Sequence, residues 1–448
     1  MDTSHLVMNF PLLSKKPVAV SFTGGPLSSD GGLLLLAHLD RSLRLTDRVA
    51  AQLTDWRLHS RIHHSLLDLV RQRVYQLVCG YEDANDATAL RSDPAFKLAL
   101  GRPPLSGADL ASQPSLSRLE AHVSDSECQK INRLLLDFFL FTPRRKPREV
   151  ILDFDTSEHE THGQQELALY NDHYKSRCYL PLFAFAQVVG EEEEYLVSAE
   201  LPDHHGRDDA ILLDTLEHLV NGMRKRWPGV SVIFRADAWF GAPEVYEWCE
   251  AKNVAFAIAM PCNEVLSREA APLPKAAKAE AARSATGGAC LFGRVWYQAR
   301  SWERERQVVV KAEQTPSGSS VRFVVVSGIL GKAKGQDRFY GGRGSGENRI
   351  KELKEGMRSE RLSCREFESN KARLTLVAVG YVLLQQMRRV ARHTGLARTQ
   401  VSGLRLSLVK IAARVKESGR RVWVELCSHC PTQRVWQELA WEMGIRSG

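Results

Sequence analysis

The sequence predicts an α/β protein whose main sheet combines antiparallel and parallel strands. From residue 147 to residue 263, apolar runs of strand length alternate with longer amphipathic stretches whose apolar residues recur at helical spacing. The segments follow in the order of three strands, a helix, a strand, a helix and a strand, which is typical of mixed α/β domains. Residues 1–145 lack strand alternation and have helical apolar spacing, so we expect the sheet to begin only after them.

Five strands and two helices are expected in this middle region. The strands are predicted at 150–155, 178–189, 194–201, 230–237 and 254–260. A long helix is expected over 208–227, because its apolar residues fall on one face and Pro228-Gly229 ends it. A second helix is expected over 243–252. A meander of three strands with later strands paired in parallel matches the ribonuclease-H-like fold.

The segments on either side are mostly helical, with one β-rich exception. Residues 65–79 form an amphipathic stretch that Gly80 stops, and 372–387 predict a strongly apolar helix. Residues 264–285, rich in Ala, Lys and Glu, predict a helical or loose connection, and three short alternating runs follow between 290 and 329. We therefore predict five segments: a helical N-terminal region (1–145), a first core part (146–263), a β-rich insertion (264–335), a second core part (336–390) and a basic C-terminal region (391–448).

The composition narrows the class of protein without identifying it. The 448 residues allow two or three domains, and 44% hydrophobic with 25% charged residues is ordinary for a globular protein. Lys and Arg number 61 against 53 acids, a formal charge of +8 that is compatible with a polyanionic partner. The sequence contains no uninterrupted run of about 18 apolar residues, the length that a membrane-spanning helix needs. In residues 1–16 the lysines follow the apolar stretch, whereas a secretory signal has its positive charges first. We expect a cytoplasmic protein with no membrane partner.

Cysteine and histidine patterns favour neither a disulfide framework nor a zinc site. The nine cysteines are scattered, and the close pair Cys427 and Cys430 has no second pair at suitable spacing, so reduced thiols are expected. His59 and His63 have the spacing of metal ligands on a helix, but no carboxylate pattern accompanies them. A basic helix face is the favoured interpretation.

Carboxylates at two predicted strand ends are candidate functional groups. Asp155 and Asp237 each end a strand whose preceding residues are almost all apolar. Side chains at the carboxyl ends of neighbouring strands converge, and α/β sites form there. Strand-end aspartates also cap turns, so their position alone leaves both interpretations open. Asp153 lies two residues before Asp155 and therefore points to the same strand face, which makes it a further candidate.

A four-residue motif in the second core part is far more specific. Tyr340, Arg343, Glu347 and Lys354 follow one another at gaps of two, three and six residues. The glycines between Tyr340 and Glu347 lack the Gly-Lys-Ser/Thr ending of a P-loop. The four residues instead resemble the Y-R-E-K signature of a clan of DDE transposases encoded by bacterial insertion sequences.

The resemblance extends over most of the chain, from about residue 17 to residue 431, and is strongest to the "thirteen-eighty" insertion-sequence family. Its other blocks are Leu27 to Leu35, Asp155-Thr156-Ser157, His162 to Glu166, Tyr179 to Leu182, and Arg235-Ala236-Asp237 with Phe240. In the last block Ala238 and Trp239 depart from the usual pattern without touching the carboxylate. Asp155 is preferred to Asp153 because it begins the segment that resembles the first catalytic block.

The resemblance implies a DNA transposase that binds the ends of an insertion sequence, cleaves phosphodiester bonds and joins 3′-hydroxyl ends to target DNA. Two Mg²⁺ or Mn²⁺ ions would be held by Asp155, Asp237 and Glu347, with Asp153 as a possible extra ligand. Such ions prefer oxygen donors and serve phosphoryl transfer in pairs. Arg343 and Lys354 are suited to phosphate oxygens, and Tyr340 is expected to hydrogen-bond or stack near the scissile phosphate. His162, Gln165 and Glu166 line the site or have a structural role.

Double-stranded DNA, from the element ends and from the target, is the expected partner. The resemblance also implies a homo-oligomer, with a dimer in the synaptic complex, and a protein associated with the bacterial nucleoid. Residues 371–421 contain twelve cations and one acid. We expect this stretch to contact the DNA backbone or a partner subunit, through Arg388, Arg389, Arg392, Arg398 and Arg405, while the N-terminal region reads the element end. A solvated basic face without a ligand is the alternative.

Two other functions are compatible with the same residues. A ribonuclease-H-fold nuclease or resolvase would use the same metal site but would cut without joining. A DNA-binding protein derived from a transposase would bind without catalysis, although all three carboxylates and all four signature residues are present. The intact signature favours a transposase.

Overall fold

A computed structural model describes residues 6–10, 12, 14–143, 145–203, 209–329 and 331–446 of the chain. The chain divides into two compact units. Unit 1 is formed by the described residues of 1–123, 356–358 and 379–448, and unit 2 by those of 124–355 and 359–378. None of the helices in the described ranges is long and apolar enough to cross a membrane.

The N-terminal part of unit 1 is mainly helical. Its strands are β1 (Met8–Asn9), β2 (Ala19–Val20) and β3 (Leu27–Ser28), and its helices are α1 (Leu33–Leu43), α2 (Leu45–Ala50), α3 (Leu66–Cys79), α4 (Asp86–Leu90), α5 (Pro94–Ala99) and α6 (Gln113–His122). The helix predicted over 65–79 is confirmed as α3. Ser65 and Asp68 form a capping box at its start, and Gly80, with φ of 87°, ends it.

Unit 2 contains the main sheet. Its elements are α7 (Asp125–Leu140), β4 (Glu149–Thr156), β5 (His159–Glu160), β6 (Leu169–Asn171), β7 (Ser176–Tyr179), β8 (Leu182–Val188), β9 (Glu194–Glu200), α8 (Asp209–Arg226), β10 (Ser231–Ala236), α9 (Pro243–Ala251), β11 (Ala255–Met260), α10 (Glu264–Ala270), α11 (Pro272–Ala281), β12 (Ala289–Tyr297), β13 (Arg306–Thr315), β14 (Gly318–Ser327), α12 (Ala333–Gly341) and α13 (Gly344–Met357). The last residues of α13 belong to unit 1.

The remaining elements follow α13. They are α14 (Phe367–Val390), α15 (Val401–Leu404), a π-helical turn over Arg405–Val409, β15 (Ala413–Glu417), β16 (Val422–Leu426) and α16 (Gln433–Glu442). Helix α14 contributes its first part to unit 2 and its second part to unit 1. In unit 1, β15 pairs with both β16 and β3.

The main sheet has eight strands in the order β12-β13-β14-β11-β10-β4-β8-β9. Strands β4, β10 and β11 are parallel to one another, and the other neighbours are antiparallel. The predicted meander of three strands, β4, β8 and β9, and the parallel pairing of the later strands are both present. The fold is therefore a mixed α/β arrangement in which helices flank a large mixed sheet.

One predicted strand differs from the structure. The strand predicted at 178–189 is two strands, because Pro181 has no N–H to donate and separates β7 from β8. Strand β7 instead joins the small sheet β5-β7-β6. Residue 208, the predicted start of a helix, lies outside the described residues.

The segment predicted as an insertion joins the main sheet. The helices α10 and α11 occupy its first part, where a helical or loose connection was expected. Strands β12, β13 and β14 then form antiparallel pairs, as predicted, and β14 pairs with β11. The three strands therefore belong to the eight-stranded main sheet.

The two faces of the main sheet differ in character. On one face, Val150, Leu152 and Phe154 of β4 pack into a large apolar cluster with residues of β8, β10, β11 and α8. On the other face, a smaller cluster contains Ala257 and Tyr340. Since side chains alternate along a strand, Asp153 and Asp155 point away from the large cluster. The candidate site therefore lies on the face with the smaller cluster.

Candidate functional site

The carboxyl ends of β4 and β10 bring two of the predicted carboxylates together. These strands are parallel neighbours, and the last registered pair places Ala236 beside Phe154. The next residues along the two strands are Asp155 and Asp237, so they follow side by side, with strands about 4.8 Å apart. Asp237 also accepts a hydrogen bond from the Trp239 N–H at 2.9 Å, which caps a short 3₁₀ turn. The capping role considered for a strand-end aspartate therefore occurs at Asp237, which also lies beside Asp155.

Arg343 connects the third carboxylate to the first. Its Nη1 group donates to Asp155 Oδ2 at 2.8 Å, and its Nη2 group forms an ion pair with Glu347, one helical turn further on. Arg343 lies between α12 and α13, and Glu347 lies in the first turn of α13. One guanidinium group thus joins two carboxylates that are far apart in the sequence.

The acidic groups act on one another. Burial raises the pKa of Asp155 to about 6. The positive charge of Arg343 opposes this shift, while the negative charges of Asp237 and Glu347 add to it. Three carboxylates therefore share one electrostatic environment in which a cation is favourable, and Arg343 supplies that cation.

The donor set fits a divalent metal ion in chemistry, although within the described ranges no group of three or more His, Cys, Asp or Glu side chains is arranged to hold one. Carboxylate oxygens are the ligands that Mg²⁺ and Mn²⁺ prefer. The guanidinium of Arg343 stands between two of the carboxylates. The Glu347 side chain is 56% exposed, which leaves it room to change rotamer. Metal binding at these residues would require Arg343 to release at least one of its partners.

Asp153 has a structural partner that does not favour it as an extra metal ligand. Its two oxygens accept hydrogen bonds from Nε and Nη2 of Arg235 at 2.5 and 2.6 Å, and both side chains are buried. Arg235 also donates to the Phe339 carbonyl at 2.6 Å. The pair links β4, β10 and α12, because a buried carboxylate and guanidinium are stable only when matched in this way.

The other two signature residues support the site from within the fold. Tyr340 is buried, burial raises its pKa, and the Arg322 guanidinium lies 5.3 Å from its ring centroid. Its ring is therefore part of the packing against the sheet and is not open to a phosphate. Lys354 Nζ donates to the Glu158 carbonyl at 2.6 Å, which ties α13 to the loop that follows β4.

The block from His162 to Glu166 supports the start of α14. Glu166 accepts a hydrogen bond from the Phe367 N–H at 3.0 Å, and Gln165 donates to the Cys364 carbonyl at 2.9 Å. Gln165 and Glu166 were expected either to line the site or to have a structural role. These hydrogen bonds support the structural role. His162 is exposed.

One residue near the carboxylates was missed by the sequence analysis. Tyr174 lies in the turn between β6 and β7 and is 38% exposed. Burial raises its pKa, and the negative charges of Asp155 and Asp237 add to the shift, so its hydroxyl is within electrostatic reach of both. No periodicity or motif marks a tyrosine in such a turn. Arg235 belongs to the block Arg235-Ala236-Asp237, but the sequence does not predict its pairing with Asp153.

The structure corrects two of the five arginines predicted to hold DNA. Arg388 is 2% exposed, and its Nε donates to the Thr399 carbonyl at 3.1 Å. Arg405 donates to two backbone carbonyls of unit 1, at 2.7 and 2.6 Å. Both guanidinium groups donate hydrogen bonds to backbone carbonyls within unit 1. The prediction included them because a run of charges in the sequence does not show which of its arginines have such partners. Arg392 and Arg398 are exposed, and Arg389 is half-buried.

Comparison with known protein families identifies the family of this chain. A family model described as "Transposase DDE domain group 1" matches residues 10–443, which is nearly the whole chain. The comparison with curated proteins found no match.

Proposed function

The chain belongs to the family of transposases with a group 1 DDE domain, and from this premise we propose that it binds the ends of an insertion sequence, cleaves DNA and joins the 3′-hydroxyl ends to a target. The observation that carries the proposal is the link through Arg343. This residue pairs with Asp155, 188 positions away, and with Glu347, while Asp237 acts on the same Asp155 carboxylate. The three residues of the proposed catalytic set thus share one electrostatic environment.

The type of catalytic core and the insertion-sequence family of this transposase are also part of the proposal. The strand order β9-β8-β4-β10-β11, with β4, β10 and β11 parallel, supports a ribonuclease-H-like core. The spacing of Tyr340, Arg343, Glu347 and Lys354 supports membership of the Y-R-E-K clan and of the "thirteen-eighty" family. The packing of Tyr340 and the hydrogen bond of Lys354 support a geometric role for the whole motif.

Asp155, Asp237 and Glu347 are the residues that would hold two Mg²⁺ or Mn²⁺ ions. When bound, such ions supply positive charge to the attacking and leaving oxygens of a phosphoryl transfer. In this chain, Asp155 must be ionised to act as a ligand, and its pKa of about 6 means that it is ionised at neutral pH. Arg343, once released from a carboxylate, is placed to bind a phosphate oxygen of the DNA through its planar fork of donors.

DNA recognition is divided between two regions in this proposal. The helical N-terminal region (1–145) would read the element end. The C-terminal stretch would hold the backbone through its accessible cations, which include Arg389, Arg392 and Arg398 but not the buried Arg388. Two ends must be held together for transposition, so we propose a dimer in the synaptic complex.

The test starts from the DNA that flanks the gene. Short inverted repeats there define a substrate, and the purified protein is incubated with that duplex, Mg²⁺ and a target plasmid. The wild type is expected to cleave at the repeat ends and to give joined products. Glu347→Gln should lose cleavage by at least a hundredfold while its affinity for the duplex stays within about twofold, since binding does not depend on the ion ligands.

Three results would contradict parts of the proposal. Cleavage without any joined product would favour a nuclease or resolvase. Binding without cleavage under all divalent ions would favour a DNA-binding protein without catalysis. Loss of binding and of folding together in Glu347→Gln would make Glu347 a structural residue and remove it from the catalytic set.

A further inference from the structure

The hairpin of β15 and β16 in unit 1 has one strongly basic face. Along β15, Ala413 and Val415 are buried, whereas Arg414 and Lys416 are exposed. On β16, Trp423 lies opposite Lys416 and is 55% exposed. The outward face therefore presents cations beside an exposed indole ring. An exposed tryptophan adds nothing to the core of the unit, so this surface is a candidate for binding a ligand.

The outer half of this hairpin is a two-stranded ribbon. Strand β3 pairs only with Ala413 and Arg414, and the Pro26 carbonyl accepts the next N–H of β15. Among the residues that the structure describes, no strand pairs with that edge of β15 beyond this point. The connecting turn from Ser418 to Arg421 follows, and Arg420 and Arg421 are both exposed. The Arg421 guanidinium lies 5.0 Å from the centroid of the Trp423 ring.

The acids near the ribbon do not cancel its charge. Glu417 accepts hydrogen bonds from the Ser106 hydroxyl at 2.5 Å and from the N–H groups of Leu105 and Ser106 at 2.7 and 3.0 Å. These hydrogen bonds lower its pKa and fasten the ribbon to a loop of unit 1. Glu425 pairs with Lys416 at 2.6 Å. Over both strands and the turn, the cations Arg414, Lys416, Arg420 and Arg421 still outnumber the acids Glu417 and Glu425 by two. Hydrogen bonds hold the hairpin at β3 and at the loop of residues 105–106.

We propose that the ribbon tip, consisting of Lys416, Arg420, Arg421 and Trp423, binds the phosphate backbone of duplex DNA. A two-stranded ribbon is narrow enough for the major groove, which is about 12 Å wide. The cations would neutralise phosphates, and the indole ring would pack against a sugar or an exposed base at a DNA end. The inference rests on the proposed function, because it takes DNA as the substrate, and it assigns the contact to residues outside the predicted arginine set.

The experiment measures the affinity of the full-length protein for a random duplex by fluorescence anisotropy over a salt series. The triple variant Lys416→Gln, Arg420→Gln, Arg421→Gln should bind on the order of tenfold more weakly at about 0.1 M salt. The slope of log affinity against log salt should fall by roughly 2–3, because about three phosphate contacts are lost. Trp423→Ala should weaken binding by about tenfold with little change in slope, since stacking releases no counterions.

Two control variants separate a specific contact from a change in net charge or folding. Lys275, Lys278 and Arg283 are exposed cations in or just after α11 of unit 2, so replacing all three by Gln removes the same charge elsewhere. This control should keep most of the wild-type slope. The charge-retaining variant Lys416→Arg, Arg420→Lys, Arg421→Lys should bind like the wild type. Thermal unfolding checks that all variants fold.

The outcomes are distinguishable. Wild-type protein that does not bind duplex DNA at all would overturn the proposed function and the inference with it. Wild-type binding with an unchanged slope in the ribbon variant, or with an equal loss in the α11 control, would overturn the inference alone. Unchanged DNA binding with reduced self-association of the ribbon variant would assign this surface to a contact between copies of the chain.

Discussion

The carboxylate of Asp155 is expected to make the folded protein less stable at neutral pH, and Asp155→Asn is expected to relieve that cost. Burial, with the repulsion of Asp237 and Glu347, raises the pKa of Asp155 from 3.8 to about 6 in the folded state. Below pH 3.8 the carboxyl group is protonated in both states and costs no stability, whereas between these two values only the unfolded chain loses its proton, so the stability of the folded state decreases as the pH rises. Above pH 6 the loss is complete, because the folded state then carries a poorly solvated charge.

The magnitude follows from the shift. A difference of roughly two pKa units corresponds to about 3 kcal/mol of unfolding free energy. Asn resembles the protonated carboxyl group in shape and, like it, has one carbonyl oxygen, which can accept from Arg343 in place of Oδ2, while the Thr156 N–H that now binds Oδ1 turns to solvent. The variant should therefore be about 3 kcal/mol more stable than the wild type above pH 7. For a unit of about 250 residues this is a rise of roughly 6 °C in Tm.

The assay is thermal unfolding of both proteins in a chelator, from pH 4 to pH 8. The difference in Tm should be largest at pH 8, decrease as the pH falls through 6, and vanish near pH 4, where both side chains are neutral. Glu217→Gln is the matched control, because Glu217 is an exposed carboxylate whose pKa is lowered by its hydrogen bond and ion pair with Lys252. This control should give no stabilisation at any pH. A Tm of Asp155→Asn that is equal to or below that of the wild type at pH 8 would refute the reasoning.

Two further predictions concern unit 1. Gly32→Ala should destabilise unit 1 by at least about 3 kcal/mol, because the new Cβ would lie 1.8 Å from the Leu408 carbonyl oxygen and the backbone would have to move. Chemical denaturation measures the change in unfolding free energy, and a variant as stable as the wild type would contradict the close approach. Arg405→Met should cost about 2–4 kcal/mol through the loss of two charge-assisted hydrogen bonds to backbone carbonyls. Arg392→Gln, at an exposed position, should leave the unfolding midpoint unchanged, so equal effects of the two substitutions would contradict the structural role of Arg405.

Several features of the fold were readable from the sequence because they depend on neighbouring residues. The apolar runs of β4, β10 and β11 and the helical spacing of α8 and α14 determine the element types, since side-chain periodicity is local. Gly80 marks the end of α3 for the same reason. The strand-end carboxylates and the Tyr340 motif could likewise be selected as candidates from spacing and chemistry alone.

The tertiary structure alone decided which groups meet and which are buried. The pairing of β14 with β11 depends on an open strand edge whose position no local pattern specifies. Asp153 and Asp155 are equivalent by periodicity, yet Arg235 takes both oxygens of the first and Arg343 pairs with the second. Arg388 and Arg392 belong to one charge run, but only Arg392 is exposed. The physical reason is the same in all three cases. The role of a charge or of a strand edge depends on the partner that folding places beside it, and the spacing of residues along the chain does not specify that partner.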